Sequence, residues 1–134
     1  MKTPSHSTAT VQKRYDEATA TITVGIRIEA GAFGIKSDFE QPVVLQPTSG
    51  CLRLYPTSQA LFQGCEGAAH SGIFYATRGR QNACGQVVIT RFDGAALPPD
   101  CGEGFAQAAA IACLKALGLN ERISQIDTQG WEAI

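Results

Sequence analysis

Cysteines are the first candidates for chemistry in this sequence, which has five of them among 134 residues. No two stand in a C-x-x-C spacing and no histidine follows at ligand distance, so the pattern predicts neither a zinc site nor a disulfide framework. Buried thiols in a reducing compartment are the favoured interpretation. The five are Cys51, Cys65, Cys84, Cys101 and Cys113.

Cys101 is the candidate nucleophile. It stands at the start of a predicted helix, where the helix dipole lowers the pKa of a thiol. The only histidines are His6, in a polar N-terminal stretch, and His70, near a predicted helix end, where a dipole-compensating surface role explains it more simply. The sequence therefore predicts no nucleophile–base pair, and we expect no catalytic or metal-binding residue and no cofactor.

Three arginines lie around one predicted turn and the strand that follows it. Arg78, Arg80 and Arg91 could form a small patch for phosphate or RNA. Isolated surface charges are the favoured explanation, with Asp93 and Glu103 available as partners. The formal net charge of −1 is far from the basic balance that nonspecific nucleic-acid binding usually requires.

Two elements that must position these residues have clear sequence patterns. Apolar and polar residues alternate over 18–29, which predicts a half-buried strand. A helix is predicted over 101–117, with Asp100 and Glu103 forming a capping box and Gly118 in the left-handed C′ position. Weaker patterns predict short strands over 43–45, 51–55, 73–77 and 85–92 and a helix from Thr57 or Ser58 to about Ser71, ended by Gly72.

The final helix is apolar around most of its circumference, and only Gln107 and Lys115 are expected to face water. Such a helix is covered on more than one side. A second subunit would supply that cover, which predicts a homodimer. Alternatively, the tail over 123–131 folds back onto the helix and covers it within one chain.

The chain is of single-domain size, with 44% hydrophobic residues. We expect residues 1–15 to be a flexible N-terminal segment and residues 16–134 to form one domain. No apolar run is long enough to span a membrane, and the first twelve residues are too polar for a signal peptide. These features predict a cytoplasmic protein without a membrane partner.

Several motifs together resemble the fourth domain of elongation factor G. Val-Ile-Thr-Arg-Phe-Asp-Gly over 88–94 is followed by Asp100 and then by the helix. Upstream, the 61–67 stretch, Ser71-Gly72 and the Asp-Phe-Glu at 38–40 lie where the family has its first helix, that helix's end and a Phe-Glu. The resemblance covers roughly 18–119.

The resemblance implies an α+β fold of the ribosomal protein S5 domain 2-like type. This would be a two-layer sandwich in which a mixed sheet of about four strands carries two helices on one face. It also implies a tip loop between the last strand and the last helix. The tip-loop residues are Asp93, Gly94, Leu97, Pro98, Pro99, Asp100 and Cys101.

The expected tip departs from the family pattern where that family contacts RNA. Leu97 stands at the position of the family's histidine, and the neighbouring residues are Ala and Pro. A translocase role therefore does not follow. The strand and alanine-rich helix are also similar to the N-terminal domain of the Impact family, but that family's glycine pairs after the strand are missing.

The preferred hypothesis is a non-catalytic binding or interaction module, a stand-alone relative of this domain with a possible translation-related role. One alternative is a ribosome- or RNA-associated factor that uses Arg78, Arg80 and Arg91. The other is a small-ligand-binding protein or a cysteine-dependent enzyme.

Overall fold

The computed structural model describes residues 5–15, 18–126 and 130–134. One mixed sheet of six strands and three α-helices account for most of them, with two short 3₁₀ turns at Gln81–Ala83 and Asn120–Gln125. The strands are β1 (Ser5–Arg14), β2 (Thr19–Glu29), β3 (Gly34–Ser37), β4 (Val44–Pro47), β5 (Gln86–Leu97) and β6 (Glu132–Ala133). The helices are α1 (Ser49–Leu54), α2 (Ser58–Thr77) and α3 (Cys101–Ala116).

The sheet is mixed because it contains both antiparallel and parallel strand pairs. β1 and β2 form a long antiparallel pair, and β2 pairs antiparallel with β5. The short strands β3 and β4 both run parallel to β5 and lie one after the other along its far edge. At the opposite edge, β6 pairs with β1 at Val11 and Gln12.

Both long helices pack on one face of the sheet, which gives the two-layer α+β architecture that was predicted. Alternate residues of β2, including Ile22, Val24 and Ile26, face the helices and are fully buried. A chain of aromatic contacts connects the layers through Phe92 of β5, whose ring centroid lies 5.0 Å from that of Phe105 in α3. The predicted β2 strand and final helix are therefore confirmed.

The N-terminal stretch is a strand where flexibility was predicted over 1–15. The β1 strand pairs with β2 along its whole length, from Ser5 opposite Ile28 to Arg14 opposite Thr19. Ala9 and Val11 enter the core. The expectation was wrong for β1 because these two side chains are the whole apolar signal in a Ser/Thr-rich stretch, and pairing with β2 supplies the rest. Residues 1–4 lie outside the described part.

Two other predicted strands are helical. The 51–55 stretch lies mainly in α1, whose first turn is capped by the side chain of Thr48. The 73–77 stretch is the last part of α2, so Gly72 does not end that helix. Gly72 instead lies against the backbone of Ala106, where α2 and α3 cross. Contact with α3 therefore explains this glycine better than helix termination does.

The apolar surface of α3 is covered within one chain by the sheet, α2 and the C-terminal tail. Trp131 is fully buried and lies 3.0 Å from the position a Cβ on Gly104 would take. Ile123 and Ile126 pack against the cluster formed by Ala76, Ala110 and Leu114. The feature that predicted a homodimer is thus accounted for by the tail. None of the helices in the described ranges is long and apolar enough to cross a bilayer.

Candidate functional site

Three cysteines from three helices converge in the core. The thiol of Cys101 in α3 interacts with those of Cys51 in α1 and Cys65 in α2, and all three residues are at most 1% exposed. Cys84 and Cys113 are buried as well, and all five thiols are free. In the described ranges, no group of three or more His, Cys, Asp and Glu side chains is arranged to hold a metal ion.

The surroundings of Cys101 do not activate its thiol. Contact with Cys65 and burial raise the pKa of Cys101 far above its ordinary value. Burial likewise raises the pKa of Cys51 to about 12. A thiol becomes a nucleophile by losing its proton, so these surroundings oppose the helix-dipole effect on which the sequence argument for Cys101 rested.

The predicted tip loop is part of a strand. Asp93, Gly94 and Leu97 belong to β5, which continues to Leu97 before a short turn through Pro98, Pro99 and Asp100 leads into α3. Leu97 and Pro98 are buried. The loop expectation is wrong because parallel pairing with β4 extends β5 through Gly94 and on to Leu97.

Asp100 does not cap α3 with its side chain. Its two carboxylate oxygens instead accept hydrogen bonds from Lys13 Nζ at 2.5 Å and Tyr15 Oη at 2.6 Å. Partial burial opposes ionisation, but these two donors outweigh it and hold the pKa of Asp100 below its ordinary value. Asp100 therefore ties the end of β1 to the start of α3.

The predicted arginine patch is divided between two parts of the molecule. Arg91 lies on the sheet face that points away from the helices, opposite Gly25 of β2, and forms a 2.7 Å ion pair with Asp93. Arg78 and Arg80 lie at the end of α2, and the guanidinium of Arg78 stands 4.4 Å from the ring centroid of Tyr75. Arg122 lies near Arg78 at this end of the molecule. It was not identified from the sequence.

A groove runs along the outer surface between α2 and α3, on the side away from the sheet. It has a volume of about 350 Å³, at the lower end of the range typical of small-molecule sites. We call it the α2–α3 groove. Its lining residues are Ser71, Gly72, Tyr75, Glu103, Ala106, Gln107, Ala110 and Ile126.

Small residues produce this groove. Gly72 lets α2 approach the backbone of α3 at Ala106, so the two helices touch without side chains between them. Ala106 and Ala110 add little bulk on the α3 side, and Tyr75 and Ile126 also line the groove. The result is a mostly apolar trough whose depth depends on glycine and alanine at the crossing.

Gln107 lies beneath this groove with its side-chain amide buried. The residue is only 4% exposed, and its Nε2 donates a 3.2 Å hydrogen bond to the carbonyl oxygen of Trp131. Its Oε1 atom is buried and has no hydrogen-bond partner in the described structure. Buried polar atoms are nearly always paired, but Nε1 of Trp131, a donor on the residue that Gln107 contacts, is buried and unpaired as well. The prediction that Gln107 faces water was wrong.

A small crevice continues from the groove toward the end of α2. Tyr75 and Ile126 line both, and the crevice adds Arg78, Arg122 and Leu114. The ion pairs found among the described residues engage Lys13, Arg27, Lys36 and Arg91, so neither crevice arginine is in one. The opposite end of the groove carries Glu103.

No protein-family model, curated protein or solved structure matches this chain. The resemblance to the fourth domain of elongation factor G therefore rests on the sequence motifs alone and stays a prediction.

The residues that form the groove were only partly visible in the sequence. Gln107 is an isolated polar residue in an alanine-rich helix, and that isolation was the available signal. Arg122 follows the final helix in a stretch without periodicity. Arg122 comes close to Arg78 because the tail folds back across α3. No local sequence pattern predicts that fold-back.

Proposed function

We propose that this chain is a non-catalytic binding module that uses the α2–α3 groove. This is the class of function that the resemblance to the elongation-factor domain implies. The single observation that carries the proposal is the mostly apolar α2–α3 groove of about 350 Å³. The fitting occupant is a small apolar group, because such a group buries the apolar surface of the groove.

The raised pKa of Cys101 and the sealed position of the cysteine cluster support a binding role over a cysteine-dependent reaction. A contact with the ribosome through the predicted tip is not part of the proposal, because Leu97 and Pro98 are buried. The groove is complete within one chain, so the proposal requires no second copy.

The test uses indole as a probe, because it is a small, mostly apolar ring. Titration into ¹⁵N-labelled protein should shift the amide signals of Ser71–Tyr75 and Ala106–Ala110.

A blocking variant controls for the location. Ser71 is exposed at the wall of the groove, and Ser71→Phe should abolish the indole shifts. Gln63→Phe adds the same ring at an exposed position of α2 outside the groove and should leave them unchanged. The proposal fails if indole shifts no groove amides in the folded protein, or if Ser71→Phe leaves the shifts unchanged.

A further inference from the structure

The strand β4 forms part of the outer edge of the sheet. It pairs with β5 alone, so no strand in the described ranges lies along its other side. The amide of Thr48, directly after β4, donates to the carbonyl oxygen of Leu97 in β5. Because the backbone groups of a strand point alternately to its two sides, the N–H and C=O of Leu45 point away from β5. Such an edge is a template on which a further strand can pair.

The position of Pro47 agrees with this orientation. Proline has no amide N–H, so within a sheet it occurs where that N–H would face away from the neighbouring strand. Pro47 stands two residues after Leu45 in β4 and therefore points the same way. It costs β4 no hydrogen bond to β5, and the outer edge presents the N–H of Leu45 and the carbonyl oxygens of both residues.

A pocket of about 330 Å³ lies beside this edge, between β4, α1 and the start of α2. Alternate residues of the β4 region line it, so it lies on one face of the strand, the face that α2 covers. We call it the β4 pocket. Its lining residues are Val43, Leu45, Pro47, Leu52, Thr57, Ser58, Leu61 and Phe62.

The β4 pocket is mostly apolar. Of the described residues that line it, Thr57 and Ser58 are the polar ones and none is charged. Leu52 is 45% exposed, so a large apolar side chain stands at this pocket without full cover. Such a surface gains free energy when an aliphatic side chain covers it. No residue lines both this pocket and the α2–α3 groove, so the two sites are separate.

An added strand would use the edge and the pocket together. Side chains that lie opposite each other on paired strands point to the same face of the sheet. The residue opposite Leu45 would therefore direct its side chain toward the β4 pocket. A second copy of β4 does not supply such a side chain, because its own Val43, Leu45 and Pro47 already line its own pocket.

We infer that the outer edge of β4 binds an extended segment of a partner polypeptide that carries aliphatic side chains at alternate positions. The backbone of the segment pairs with Leu45, and its aliphatic side chains enter the β4 pocket. Backbone hydrogen bonds hold a segment of this kind, and the pocket selects its side chains. The inference is independent of the proposed use of the α2–α3 groove.

The probe is acetyl-Val-Thr-Val-Thr-Lys-amide, whose two valines lie on one face of an extended chain. Titration into ¹⁵N-labelled protein should shift the amide signals of residues 43–46. Saturating peptide should slow hydrogen exchange of the Leu45 amide at least tenfold. The same peptide with its backbone amides N-methylated should bind at least tenfold more weakly, because it cannot donate to the edge. A peptide with threonine in place of both valines should also bind at least tenfold more weakly, because it leaves the pocket uncovered.

Two variants of the protein locate the side-chain contact. Ser58→Phe fills the pocket from an exposed position at the start of α2 and should weaken binding of the valine peptide at least tenfold. Gln59→Phe adds the same ring at the next exposed position, which does not line the pocket, and should leave binding unchanged.

The inference is overturned if the valine peptide shifts no amide of residues 43–46 in the folded protein, or if the three peptides bind equally. Equal binding by the two variants also overturns it. Protection of the Leu45 amide that rises with protein concentration in the absence of peptide would place a second copy at the edge and would overturn it as well. None of these results touches the proposed function, which the indole shifts in the α2–α3 groove test separately.

Discussion

Gly72 of α2 lies directly against the backbone carbonyl of Ala106 in α3. A Cβ on Gly72 would overlap that oxygen, so the helix crossing accommodates no side chain there. This contact sets the distance between the two helices and, with it, the shape of the groove above them. The stability of the fold and the geometry of the candidate site therefore depend on the same residue.

Gly72→Ala should destabilise the protein by about 1–3 kcal/mol, because the added methyl group forces α2 and α3 apart. Gly67→Ala is the matched control: Gly67 is an exposed residue of the same helix with nothing within 4 Å of the new Cβ. It should raise the free energy of unfolding by about 1 kcal/mol through helix propensity. Urea unfolding followed by circular dichroism measures both, and equal effects of the two variants would contradict the close packing.

Asp100→Asn should lower the free energy of unfolding at pH 7 by about 1–2 kcal/mol, because the hydrogen bonds from Lys13 and Tyr15 lose their charged acceptor. Glu103→Gln, which removes an exposed carboxylate from the first turn of the same helix, should have a smaller effect. A loss as large in Glu103→Gln would show that helix charge, rather than the contact with β1, is responsible.

The pH dependence of this contact has a defined sign. The pKa of Asp100 is lower in the folded protein than its ordinary value of 3.8. Its stabilising contribution is therefore complete above that value and is lost as the pH falls through the folded pKa. Unfolding measured between pH 7 and pH 2 should show a shallower acid loss in Asp100→Asn than in the unmodified protein, and parallel curves would contradict the assignment.

The five cysteines should react slowly with a thiol reagent such as DTNB in the native state and rapidly in urea, because all five are buried. Ser71→Cys supplies an exposed thiol on α2 as a positive control and should add one fast-reacting group. A fast-reacting thiol in the unmodified native protein would contradict the sealed cluster.

Alkaline conditions should destabilise the fold through the same cysteines. Burial raises the pKa values of Cys51 and Cys113 from 9.0 to about 12. Stability is thus fully present below pH 9 and falls as the pH rises from 9 toward 12, where the unfolded chain releases protons that the folded chain retains. The free energy of unfolding should decline over this range, and Cys113→Ala should reduce the slope.

Ala96 adopts a left-handed conformation, with φ at 53°, near the end of β5. This conformation costs roughly 1–2 kcal/mol for a residue with a Cβ, and glycine removes the penalty. Ala96→Gly should therefore be more stable than Ala95→Gly, its neighbour in the same strand, by about that amount. Thermal unfolding of the two variants tests this, and equal stabilities would indicate that Ala96 is unstrained.

Local patterns were sufficient for the elements with strong periodicity. The alternation that defines β2 reports one buried face and the apolar run of α3 reports burial on several sides, so their type follows from the order of residues alone. The Gly118 prediction succeeded for a similar reason, since φ there is 73° and the amide of Leu119 donates to the carbonyl of Leu114. Patterns failed for β1 and for the end of α2, where a partner element decides the structure.

Sequence by itself determined the two-layer α+β class, one strand and one helix of the core, and the absence of metal-ligand spacing among the cysteines. Tertiary structure decided the rest of the candidate site. It turned Asp100 from a helix cap into a partner of Lys13 and Tyr15, buried Gln107 beside a groove, and brought Arg122 to Arg78 in place of Arg91. Each of these depends on distances between residues far apart in the chain, which packing sets and local periodicity does not encode.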